Sequence, residues 1–517
     1  MKRNLGTFFF GAAASLCAPT AMAMYLNPHG AGQVLVYPYY TVNGGYATFF
    51  TVINTTNQGK AIKVRLLEGY NGRDVQDFNL YLSPTDYWVG AVVDYGNGGA
   101  AIFTNDNSCT VPKLPRTSAT ALALTTANFD GSAAQGKDGG PTGVSRTREG
   151  HIEIIEMGTV TGPSATLSAI THVQGVPADC ASIVNAWAGG GQWVADSTKD
   201  IGLPTGGLVG NGMVLNVANG TVFSYGADAI AQFYVKDGRG EHSRPDSLTP
   251  NISSATSLTA NVLTDDGPLA LTYARSTDAV SALFMAEKIQ NEYWTSQSIG
   301  ATSEWVITYP TKRFYVDANA AGGFVSEQSL FDSRFSALGG GIAPSRVAVK
   351  FWNREEAKAS TEDGCGFLCP GRNPDPNLAY ETQVITFNQN PNILSGPRDV
   401  TPAPPSRILR SSLVPMNIAT SSATDISGSD IFQADNGWAE ALLRLQYNVV
   451  AGGSVDKHVL APATNGNILV GQPVAGFWIN QLVNGDAGGK GVLANYTALQ
   501  RHKLRATCMR TDNAPCS

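Results

Sequence analysis

Charge is scarce in this chain. Asp, Glu, Lys and Arg make up 15% of its 517 residues, against about 25% in an ordinary soluble protein, so it has few resources for helices laced with surface ion pairs. Long apolar runs are just as rare. Beyond the N-terminal segment nothing approaches the ~20 apolar residues of a membrane-spanning helix, and no transmembrane segment is expected in the mature chain. Gly-x-Ser-x-Gly, His-Glu-x-x-His, the Walker phosphate loop and a complete Gly-x-Gly-x-x-Gly are all missing, which removes the usual announcements of nucleophilic hydrolysis, zinc proteolysis and nucleotide binding. No cluster of Lys or Arg forms a patch, so nucleic acid would meet net repulsion and is not expected as a partner.

The N-terminus has the three parts of a secretory signal in order. Lys2 and Arg3 are followed by an apolar stretch from Leu5 to Cys17, then Pro19, and then Ala21-Met22-Ala23, the small-x-small pattern of a cleavage site. Residues 1 to 23 are therefore read as a signal peptide. A lipoprotein anchor at Cys17 competes, but Leu16 stands where that processing wants a small residue. Removing Lys2 and Arg3 from the 35 basic residues leaves 33 against 41 acidic ones, a mild excess of negative charge. The expected location is periplasmic, cell-surface or secreted.

Six cysteines remain after such cleavage. An even number in an exported chain reads as disulfides, and proximity pairs Cys365 with Cys369 and Cys508 with Cys516, leaving Cys109 for Cys180. A metal reading of Cys365 and Cys369 lacks a second pair or a nearby His to complete four ligands.

Glycine is abundant, 56 residues, which favours strands and irregular loops. Residues 33 to 42, QVLVYPYYTV, and 46 to 53, YATFFTVI, flank Asn43-Gly44-Gly45 and read as a hairpin. Ile62, Val64 and Leu66 then alternate with Lys63 and Arg65, predicting one buried and one wet face. Phe78, Leu80 and Leu82 alternate with Asp77, Asn79 and Tyr81. Residues 96 to 148 read as a long loop, with little to bury between Asp130 and Gly143, followed by a strand at 151 to 157. Residues 186 to 222 read as irregular, with Trp187 and Trp193 capping the core.

Farther on, steps of three or four through Ala279, Leu283, Ala286, Ile289 and Tyr293 predict a helix over 278 to 294, capped by Ser276 or Thr277. Strands are expected at 304 to 316, 346 to 352, 379 to 388, 439 to 450 and 473 to 483, with a stiff extended segment from Gly396 to Pro405. The fold class is therefore mainly β: two immunoglobulin-like or related β-sandwich regions, 24 to 240 and 241 to 517, with long Gly-rich loops and one or a few short helices. Strands separated by long irregular stretches fit an outer-membrane barrel poorly.

Several segments resemble an uncharacterised group of exported proteobacterial proteins labelled only as cell-surface proteins. They are GQVLVYPYYTVNGG, FTVINTTNQGKAIKVRLLEG, DFNLYLSPTDYW, REGHIEIIEMG, PTGGLVGNG, NEYW with EWVITYPTKRFYV, WNREE and GFWINQLVN. The resemblance implies a Gram-negative source and a surface or secreted location. It carries no catalytic residue, cofactor or ligand.

The residues themselves offer weak chemical candidates. His151 and Glu153 share a strand face and read either as an acid-base pair or as a solvated i, i+2 pair. Glu355 and Glu356 read as a solvated acidic pair or as one carboxylate of a glycosidase. Asp425, Asp430 and Asp435 suit calcium or simple hydration. Gly207, Gly210 and Gly212 read as an irregular turn before a phosphate cradle. Tyr25, Tyr37, Tyr39, Tyr40, Tyr46 and Phe49 read as core packing before a sugar platform. No catalytic, cofactor-binding or metal set is assigned. The expected function is an exported cell-envelope or extracellular structural or binding protein without catalytic activity, with envelope or matrix components as partners. The alternative is a secreted polysaccharide-acting enzyme using paired carboxylates.

Overall fold

A computed structural model of the chain describes residues 23–235, 240–296, 299–322, 324–325, 330–335, 340–356, 358–360, 377–388, 406–419, 431–433, 439–451, 454–484, 489, 491–492, 494–510 and 516. The leader up to residue 22, Cys365, Cys369, the segment from Gly396 to Pro405, and Asp425, Asp430 and Asp435 lie outside the described residues.

The chain is mainly β, with short helices. Four large sheets carry it. The first has eight strands, in the order Tyr25–Leu26, Asp228–Ala231, Val34–Thr41, Glu149–Val160, Gly59–Glu68, Asp74–Leu82 and Cys109–Val111, with Ile201–Gly202 paired to the end of Glu149–Val160. The second has six, in the order Thr221–Gly226, Leu208–Asn216, Ala47–Asn54, Tyr87–Asp94, Ala100–Phe103 and Leu122–Ala123. Phe50, Val52, Trp88 and Val92 of the second sheet pack on Ile62, Val64, Phe78 and Ile154 of the first, so the two form a sandwich.

The third sheet, centred on Thr382–Asn388, Ala301–Thr308 and Ala475–Asn484, faces a fourth built around Ala348–Trp352, Glu440–Gln446 and Lys288–Trp294. Tyr293 and Phe387 stack across that interface with ring centroids 4.6 Å apart. The third sheet also buries its other face against the first sandwich. Phe477 stacks on Tyr225 at 5.1 Å, and Thr308 Oγ1 donates to the Pro38 carbonyl at 2.6 Å. Apolar clusters thus draw on residues from both sides of position 240.

Several local expectations are corrected. The segments 33 to 42 and 46 to 53 do not form a hairpin, because Val34–Thr41 belongs to the first sheet and Ala47–Asn54 to the second. Their burial explains the difference: Val34–Thr41 is covered on both faces, whereas Ala47–Asn54 alternates, as a strand with one open face must. The expected wet face of Gly59–Glu68 is buried throughout, because later chain covers it.

The helix expected over 278 to 294 ends at Phe284. Ser276–Phe284 is helical, but its N-cap is Arg275 without a side-chain bond, and Ser276 donates instead to the Ser253 carbonyl. From Lys288 to Trp294 the chain is a strand in which Ile289, Asn291 and Tyr293 are buried in alternation, so a period of two had been read as helical steps. The strand expected over 304 to 316 is likewise Ala301–Thr308 followed by a short helix, Lys312–Val316. The long loop at 96 to 148 contains Ala100–Phe103, Cys109–Val111, Leu122–Ala123 and a helical turn, Ala127–Asp130, that buries Phe129. Residues 208 to 226 are largely strand, and Gly210 and Gly212 lie inside Leu208–Asn216 rather than in a turn. A Cβ at Gly210 would stand within van der Waals overlap of the Tyr37 hydroxyl, so glycine is required there by a close approach.

Candidate functional site

A share of the scarce charges lies inside. His151 and Glu153 are not on a solvated face: both are fully buried, because the short helix Lys312–Val316 lies over this side of the first sheet. Arg313 from that helix reaches Glu153 Oε1 at 2.5 Å and Glu381 Oε1 at 3.1 Å. Arg65 supplies a second guanidinium, 3.4 Å from Glu153, and also pairs with Asp74 and with Asp77, the latter at 3.2 Å. His151 Nδ1 lies 3.5 Å from the Thr382 hydroxyl, while its Nε2 stands 3.9 Å from Glu153, beyond hydrogen-bond reach.

One guanidinium serving two buried carboxylates separates their acidities. Burial opposes ionisation of Glu153, but Arg313, His151 and Arg65 outweigh it and hold the group down to about 2. Burial dominates at Glu381 and pushes it up to about 8 against Arg313 and Lys312. Burial also lowers Lys312 to about 7, with its ammonium donating to the Ala379 carbonyl at 2.9 Å. Split carboxylates of this kind serve acid-base chemistry where substrate can reach them. Here both side chains have zero exposure, and what they hold together is sheet and helix.

The same device recurs at other buried carboxylates. Glu304 accepts from the Ser406 hydroxyl at 3.1 Å and from the backbone N–H groups of Ile408 and Leu409 at 2.9 and 3.0 Å. Glu149 accepts from the Tyr39 hydroxyl at 2.9 Å and from the Ser412 N–H at 2.9 Å. Glu68 receives the Arg146 Nε at 2.8 Å together with three backbone N–H groups of its own turn, those of Tyr70, Asn71 and Arg73. These carboxylates tie segments distant in sequence, since a buried charge persists only when paired or multiply hydrogen-bonded.

The remaining candidates fall in different places. Glu355 and Glu356 are exposed in a turn, apart from the buried network. Tyr37, Tyr39, Tyr40 and Tyr46 are core residues; Phe49 points outward and Tyr25 is half-buried. Trp187 and Trp193 are buried beside Tyr81 and His242; Trp193 stacks on Tyr81 at 5.1 Å, and the Trp187 indole donates to the Tyr81 hydroxyl at 2.8 Å. Burial depresses His242 to about 4, keeping it neutral within this cluster. The cluster is anchored by the disulfide between Cys109 and Cys180, whose Cα atoms lie 5.2 Å apart. A second disulfide joins Cys508 to Cys516.

Among concave features, a cavity of about 310 Å³ opens beside the Cys109–Cys180 bridge, lined by Ser108, Thr110, Leu114, Val184 and Asn185. A broader groove of about 660 Å³ runs between His29, Asn211, Asp228 and Arg501. Neither is lined by Glu153 or Glu381.

One open feature is a sheet face. On the outer side of the second sheet the register sets Ser224, Met213, Phe49, Ala91 and Phe103 in one row, with Val209, Ile53 and Tyr87 in another. Met213 is 36% exposed, Val222 40% and Tyr87 51%. The outward positions, even-numbered in Thr221–Gly226 and odd-numbered in Leu208–Asn216, Ala47–Asn54 and Tyr87–Asp94, carry no charged side chain. The alternation in YATFFTVI was its signal, but the hairpin reading hid which face would stay open.

Compared with known proteins, the chain matches no family model, no curated protein and no solved structure. Among the described residues no helix is long and apolar enough to cross a membrane, and no group of His, Cys, Asp and Glu gathers as metal ligands.

Proposed function

We propose that this is an exported protein of the cell envelope or extracellular space that binds or assembles and performs no catalysis. The observation that carries the reading is the fate of its buried carboxylates: Glu153, Glu381, Glu304, Glu149 and Glu68 all end on internal guanidinium, hydroxyl or backbone N–H groups. Such a set stabilises an interface between layers and leaves none of these carboxylates facing a substrate. Two disulfides fit an oxidising compartment, where thiols pair and remain paired. Met24, the first residue after the proposed cleavage position, is fully buried and its N–H donates to the Thr259 carbonyl at 2.8 Å.

The test is retention against turnover. Purified mature protein is incubated with the isolated envelope and with extracellular polysaccharides. Retention without release of reducing ends is expected. Release of new reducing ends that is lost in Glu153→Gln or Glu381→Gln would overturn the reading in favour of a glycosidase.

A further inference from the structure

We infer that the open face of the second sheet is where two copies of this chain pack against each other. The inference deepens the assembly reading above and names the partner.

The inner faces of the four large sheets are covered by one another, and this outer face is left open by the described residues. The polar side chains on it are Thr51, Asn211 and Ser224; Thr51 already accepts from the Asn211 N–H at 3.1 Å, so its hydroxyl would enter an interface satisfied, while the Asn211 amide would pair across it or stay with water. Five strands about 4.8 Å apart, each presenting roughly seven residues at about 3.3 Å rise, make a face of roughly 550 Å². Two such faces would bury roughly 1,100 Å², just above the ~1,000 Å² that a specific interface needs. That area fits a reversible, concentration-dependent dimer.

Charge selects the occupant. A face without charged side chains is complementary to itself, because pairing it with its own copy takes no charge out of water. Sheet faces of this kind pack aligned at about 10 Å, as the two layers of the sandwich already do. An anionic membrane would instead meet a chain of net charge −6 with no basic residue on the contacting face.

Sedimentation equilibrium of the mature chain over a wide concentration range tests this. The expected result is a mass rising from one to two copies, with Met213→Glu and Phe49→Glu remaining monomeric. Leu263→Glu, at an apolar residue 76% exposed on the separate hairpin formed by Thr259–Thr264 and Gly267–Thr272, should associate as the parent does. If Phe49→Glu does not fold, Met213→Glu at the more exposed position still decides. A parent that stays monomeric at every concentration, or face variants that dimerise unchanged, would overturn the inference. So would a monomer that sediments with phosphatidylcholine vesicles through this face, which would assign it to lipid. None of these results touches the envelope-retention test, so the two readings fail separately.

Discussion

Replacing Arg313 with Met should be among the most damaging single changes in the molecule. Methionine preserves much of the unbranched apolar stem, but it removes the one cation shared by Glu153 and Glu381, whose guanidinium also lies over the Phe314 ring at 4.5 Å. Glu153, ionised at neutral pH, loses its nearest guanidinium, at 2.5 Å, and keeps only Arg65 at 3.4 Å; Glu381, which holds its proton there, loses the donor at 3.1 Å. Removing one partner from a buried pair costs about 3 to 5 kcal/mol, because the remaining charge is left poorly compensated. Urea unfolding of parent and variant at neutral pH measures the difference directly. The double variant Arg313→Met, Glu153→Gln should recover part of the loss, since a neutral amide needs no counter-charge. A loss below about 1 kcal/mol, the scale of an exposed pair, would refute the reasoning and mean that Lys312–Val316 is not seated on the first sheet.

Three other outcomes follow from the same geometry. Burial raises Glu381 to about 8, so the folded state keeps a proton that the unfolded chain releases near the ordinary carboxylate range; its contribution is full at low pH and is lost as pH rises through about 8. Relative to Glu381→Gln, the parent should therefore lose up to about 1.4 kcal/mol per pH unit in that window, and parallel stability curves from urea titrations would contradict this. Converting both Cys109 and Cys180 to Ala removes a cross-link with a sequence separation of 71, and on the chain-entropy model should lower stability by about 4 kcal/mol in urea unfolding. Trp187→Phe should cost about 1 to 2 kcal/mol by leaving the buried Tyr81 hydroxyl without its indole donor, read as a lower thermal midpoint.

Much of the β architecture was legible in local pattern. Glu149–Val160, Gly59–Glu68 and Ala475–Asn484 stand in the sequence as β-branched and aromatic runs, and long strands of that kind announce themselves. Layer assignment did not, because Asn43-Gly44-Gly45 serves a crossing between sheets as readily as a hairpin turn. The buried ion network was hidden for a related reason: Lys63 and Arg65 alternate with apolar residues as a solvated face would, and their burial is made tolerable by Asp74, Asp77 and Glu153 around Arg65 and by the later Arg244 and Pro245 carbonyls at Lys63. The false helix past Phe284 arose where steps of three through Leu283, Ala286 and Ile289 ran into a two-residue alternation. Glu304 stands at the start of an expected strand, and nothing near it in sequence announces the residues 406 to 409 that lie against it.

The central claim is that the chain leaves the cytoplasm and folds in an oxidising space. N-terminal sequencing combined with non-reducing peptide mapping, on protein taken from fractionated source cells, tests it most directly. The account predicts a polypeptide beginning at Met24 outside the cytoplasm, with a peptide linking Cys109 to Cys180. A chain beginning at Met1 in the cytosol, with free thiols at those two positions, would contradict it.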